Sequence, residues 1–91
     1  MGRETTLFRS KESKSRADAV GFLRGIADRI EAGTLTLRQG AEEISLEFPD
    51  QIVLELKVED EESASKGTEH SLEIELKWYD KAAQSGPVEL G

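Results

Sequence analysis

Ser71-Leu72-Glu73-Ile74-Glu75-Leu76-Lys77-Trp78-Tyr79 is the stretch whose reading decides the fold. Its even positions are apolar: Leu72, Ile74, Leu76, Trp78. Its odd positions, Ser71, Glu73, Glu75 and Lys77, are polar or charged, and Tyr79 is amphipathic. A period of two marks a strand with one buried face. Gln51 to Glu59 repeats the pattern in the same parity, with Ile52, Leu54, Leu56 and Val58 inward. The rest of the chain reads as making, covering or bordering this two-strand unit.

Upstream, Thr34-Leu35-Thr36-Leu37 alternates with odd residues apolar, and Glu43-Ile44-Ser45-Leu46-Glu47-Phe48 with even ones. Joining Leu37 to Ile44 and Leu35 to Leu46 aligns both apolar faces. It also sets Arg38 opposite Glu43 and leaves Gln39 to Glu42 as a loop. Pro49-Asp50 forces a turn, because proline cannot donate to a ladder. Phe48 can then face Ile52, so this strand leads into the next. The last hairpin closes within Asp60 to Glu69. Pairing even with even requires partner numbers that sum to an even number. A sum of 132 sets Glu55 against Lys77, whereas 130 sets it against Glu75, a like charge. The first is expected, at roughly 0.2–1 kcal/mol per favourable pair.

Before these strands lies a helix. Ser15 is its N-cap, accepting from the backbone N–H of Asp18, and Gly33 stops it. Ala19, Val20, Phe22, Leu23, Ile26, Ala27 and Ile30 form its apolar stripe, at spacings of three and four. Gly21 and Gly25 lie one turn apart inside it, each costing about 1 kcal/mol relative to alanine. They are expected to let the helix approach the sheet or one large side chain closely. Further upstream, Thr5 to Ser10 is rich in β-formers and predicts a short first strand with Phe8 inward. The expected fold is therefore α+β. One helix packs on one face of a mainly antiparallel sheet of about five strands, ordered β-α-β-β-β-β, the last four a meander. A single domain over residues 1–79 is expected, with residues 80–91 a disordered tail by composition.

Composition narrows the function. The 91 residues are 36% hydrophobic and 34% charged, with a net charge of −7. The apolar residues fall in clean periods, which indicates a small folded core rather than disorder. There is no cysteine, so no disulfide, thiolate site or cysteine nucleophile exists, which fits a reducing compartment. No apolar run approaches a membrane span or a signal-peptide core. Met1 to Thr6 matches the short myristoylation pattern, but an ordinary start followed by glycine is the better reading.

The charge is uneven. Residues 1–40 carry eight Lys/Arg and five Asp/Glu, a net +3; residues 41–91 carry four and fourteen, a net −10. The acidic part is repelled by nucleic acid and by anionic membrane, so neither is an expected partner. The basic arm of Arg3, Arg9, Lys11, Lys14 and Arg16 has Phe8 as its one aromatic neighbour. A solvated face or a counterpart for the acidic strands explains it better than a nucleic-acid site. The asymmetry predicts a monomer or a weak, salt-sensitive dimer.

His70 has no cysteine or second histidine with which to share a metal, so a surface loop histidine is the plainer reading. No nucleophile–base arrangement and no phosphate-binding glycine motif is present. The sharper candidates are Glu55, Glu59, Glu73 and Glu75, which share one face if the hairpin forms. Paired carboxylates can hold Ca²⁺ or act as acid and base. Lys57 and Lys77 are interspersed there, however, as on any solvated strand face. Trp78 and Tyr79 close the last strand. Trp78 either plugs the end of the layer, on Ile52 and the helix, or offers an aromatic platform; the plug is expected.

Ser15-Arg16-Ala17 opening a helix that ends in Ile30-Glu31-Ala32-Gly33, then short strands, then Glu73-Ile74-Glu75-Leu76-Lys77-Trp78, resembles the amphi-Trp domain. That is a family of small prokaryotic proteins with an alternating acidic and apolar strand ending in tryptophan. The resemblance covers Thr6 to Tyr79. No established biochemical activity comes with it, so it implies boundaries and a cytoplasmic setting but no catalytic residue. The expected function is a non-enzymatic binding or adaptor module that engages a protein partner and uses no cofactor. The alternatives are a small-molecule or cation-binding domain on the acidic sheet face, or an accessory subunit of an enzyme.

Overall fold

The computed structural model describes residues 2–81, 90 and 91. Most of the expected tail lies outside the described residues. The elements are α1 (Arg16–Ala32), β1 (Thr34–Gln39), β2 (Glu42–Glu47), β3 (Val53–Ser63) and β4 (Gly67–Lys77). They fall into two compact units, Met1–Pro49 and Asp50–Gly91. The class is α+β, with four strands rather than five among the described residues.

In the first unit, α1 begins where the capping chemistry requires. Ser15 is extended, and its Oγ accepts the Asp18 N–H at 3.1 Å, satisfying one of the orphan donors of the first turn. Gly33 ends the helix at φ 100°, a left-handed conformation that a Cβ would strain. Its N–H returns to the Ile30 carbonyl at 2.9 Å. The chain enters β1 at the next residue, so α1 lies against β1. β1 and β2 pair antiparallel in the expected register, Leu35 with Leu46, Leu37 with Ile44 and Arg38 with Glu43. Gln39 and Glu42 also pair, which shortens the expected loop to Gly40-Ala41. On the far face, the Thr36 and Ser45 hydroxyls share a hydrogen bond of 2.8 Å across the strands.

Burial on the helix is narrower than its sequence stripe. Ala19, Ile26 and Ile30 are half-buried, while Phe22 and Leu23 are each 53% exposed. Leu35, 6% exposed, is the one buried side chain among the described residues. Gly21 does not serve a close approach: a Cβ there would meet nothing within 4 Å. At Gly25 the neighbour is the Arg29 guanidinium of the same helix, 3.2 Å away, which donates to the Gly25 carbonyl.

Thr5 to Ser10 forms no strand. Strand propensity needs a partner edge, and the sheet of the first unit consists of β1 and β2 alone. Phe8 is half-buried nonetheless, while Leu7 is exposed. The four-strand meander is also absent, since β1–β2 and β3–β4 are separate two-stranded sheets. The reason lies after β2. The Phe48 N–H donates to the Gly33 carbonyl at 2.9 Å, and Pro49 has no N–H to offer.

In the second unit, β3 and β4 pair antiparallel over eleven residues each, beyond the expected limits. The register sums to 130, not 132: Leu54 faces Leu76, Glu55 faces Glu75, and Leu56 faces Ile74. Turn chemistry decides this. Ser63 Oγ accepts the Lys66 N–H at 3.4 Å, and Gly67, at φ 77°, returns the chain to pair with Ser63. The favoured ion pair survives on the diagonal, where a long side chain still reaches. Lys77 Nζ is 2.6 Å from Glu55. The charge argument therefore separates the two registers weakly, and the turn overrules it.

Candidate functional site

Strict alternation along an unbulged ladder gives β3–β4 two faces of opposite chemistry. The odd face carries Glu55, Lys57, Glu59, Glu73, Glu75 and Lys77. All four candidate carboxylates are brought together there, as the sequence predicts. Each lysine is engaged. Lys77 Nζ sits 2.6 Å from Glu55 and 3.5 Å from Glu75. Lys57 Nζ lies 3.0 Å from Glu59, and its residue faces Glu73 in the ladder. The hydrogen bond that Lys77 donates to Glu55 raises its ammonium above the ordinary pKa, and the one that Lys57 donates to Glu59 does the same there. Lys77 thus stands against two carboxylates of this face, and Lys57 against a third. Among the described residues, no three His, Cys, Asp or Glu side chains are grouped to hold a metal ion.

His70 lies within β4, not in a loop. It faces Asp60, with Nδ1 2.6 Å from Oδ1, and both side chains are largely exposed. Trp78 is half-buried and stands one residue past the end of β4, while Tyr79 is 75% exposed.

The even face shows what the sequence did not. Leu54 with Leu76, Leu56 with Ile74, and Val58 with Leu72 make three consecutive aliphatic rungs. Five of these six side chains are more than half exposed, from Ile74 at 56% to Val58 at 76%. Alternation located the face correctly and implied that it was covered.

In the first unit, an open groove of about 850 Å³ lies between Phe8, the Gly21–Gly25 side of α1, and β1, with Arg9, Arg29 and Arg38 around it. Arg38 is held 3.5 Å from Glu43. Lys14 bonds Glu12 at 2.8 Å, which raises its pKa, and stands 5.6 Å from the Phe22 ring centroid.

The Amphi-Trp domain family model matches residues 1–91, the whole chain. The chain belongs to that family. No curated protein and no solved structure matches it. In this Amphi-Trp domain β4 alternates apolar and polar residues, and Trp78 stands just beyond its end. Among the described residues of this Amphi-Trp domain, no helix is long and apolar enough to cross a membrane.

Proposed function

We propose that this Amphi-Trp domain is a non-enzymatic, cytoplasmic binding module that engages protein through the even face of β3–β4. One observation carries the reading: three aliphatic rungs in a row, exposed on one side of a two-stranded sheet. A hairpin alone is marginal in water and needs its apolar face covered. Contiguous exposed apolar surface rimmed by polar groups marks interaction sites. The odd face stays solvated, with Glu55 and Glu75 paired to Lys77 and Glu59 paired to Lys57.

A photo-cross-linking amino acid in place of Leu56 or Ile74, in the source cells, tests this against one in place of Lys57 on the opposite face. Discrete protein adducts from the two even positions, and none from position 57, are expected. Adducts equal from both faces, or none at all, would sink the proposal. A melting shift above about 2 °C with a divalent cation would promote the carboxylate face instead.

A further inference from the structure

We propose that the occupant of this face is a second copy of the chain, stacked even face to even face about a two-fold axis between the two sheets. The proposal rests on the face being a protein-docking surface.

A two-fold contact needs a patch that complements itself. The hairpin provides one. Its own approximate symmetry, centred on the rung of Leu56 and Ile74, exchanges Leu54 with Leu72 and Val58 with Leu76. Every exchange is aliphatic for aliphatic, so a copy laid across the face meets the same surface in either sense.

Charge selects the sense. The carboxylates of the odd face point away from the contact, on the outside of both sheets. The remaining acidic groups of the even face, Asp60 and Glu62, lie toward the turn. With the axis perpendicular to the strands, the two turns point in opposite directions. Asp60 stands four residues from Leu56, so the two Asp60 side chains are set roughly 26 Å apart at about 3.3 Å per residue, well beyond a Debye length of about 8 Å. With the axis parallel to the strands the turns would coincide and the like charges would meet.

Area agrees with a modest dimer. Fully burying an aliphatic side chain removes roughly 100 Å² of apolar surface, so five that are about two-thirds exposed offer roughly 300 Å² per copy. Two copies give roughly 600 Å², and at about 60% apolar composition the whole interface reaches roughly 1,000 Å². That is the lower bound of specific interfaces. Association should be concentration-dependent rather than obligate. Salt should leave it intact, because added ions screen the repulsion between two acidic chains without weakening apolar contact.

Sedimentation equilibrium of the full chain, from micromolar to hundreds of micromolar and at low and high salt, reads the proposal directly. The mass should climb from 10.1 kDa toward twice that value, with no loss at high salt. Leu56→Glu should weaken association at least tenfold. A short bis-maleimide should join Leu56→Cys chains but not Lys57→Cys chains, and the protein has no cysteine of its own to interfere. This arm stands even if Leu56→Glu fails to fold. A monomer throughout, a dimer that salt dissociates, or equal joining from position 57 would overturn the proposal. A monomer whose position 56 still cross-links to a different protein would remove the second copy alone. A monomer with no adduct from position 56 would remove the docking surface as well.

Discussion

β1–β2 has six residues in each strand and carries Leu35, the one buried side chain among the described residues. β3–β4 has eleven in each strand and buries none. The longer hairpin has more ladder bonds and more aliphatic residues, yet the shorter one has the core. A ladder satisfies backbone groups, but it removes side chains from water only when a second layer covers one face. β1 receives that layer because α1 ends at Gly33, directly before it. β3 and β4 are joined by a turn and bring no helix with them.

Leu35→Ala should produce the largest effect, a loss of about 2–5 kcal/mol in urea unfolding, the range for a buried leucine. A cost under about 1 kcal/mol would dissolve the contrast between the hairpins. Trp78→Ala should cost about 2 kcal/mol, less than the 3–5 of a fully buried tryptophan, because the ring is half-buried. Its emission should be partly blue-shifted and partly quenched by iodide. Fully red, freely quenched emission would make it the platform, and full protection would make it the plug. Gly33→Ala should cost about 1–2 kcal/mol through its left-handed backbone. A stabilising alanine would show that the junction from α1 to β1 is not held there.

Leu56→Ala should cost under about 1 kcal/mol in dilute protein, since 66% of the residue is already exposed. A cost matching that of Leu35→Ala would place Leu56 in a core. The smallest effect concerns Lys77. Its folded pKa is raised, so its contribution is complete below the ordinary lysine value of about 10.4 and fades as pH rises through the higher folded value. The melting difference between the parent and Glu55→Gln should therefore narrow above that pH. A difference that stays constant would exclude the ion pair as its source.

Much of this was legible because it is local. Ser15 and Gly33 delimit α1 through a side chain three residues away and a backbone angle. The β1–β2 register follows from matching Leu35 with Leu46 and Leu37 with Ile44. The four glutamates of the odd face share a side by parity alone. The errors share a different cause. Thr5 to Ser10 has the composition of a strand, but no edge accepts it. Charge favours the 132 register, but the diagonal contact from Lys77 to Glu55 makes charge nearly indifferent to register, while Ser63 and Gly67 set the turn. The meander ends at Phe48 because its N–H reaches back to Gly33, fifteen residues earlier, a bond no pattern of polarity encodes.

By itself, then, the sequence determined the helix, the two hairpins and the division of β3–β4 into acidic and aliphatic sides, because periodicity and capping act over a few residues. Tertiary structure alone decided which apolar stripes become core. Burial depends on whether another layer arrives, and the same alternation describes Leu35, which is covered, and Leu56, which is exposed.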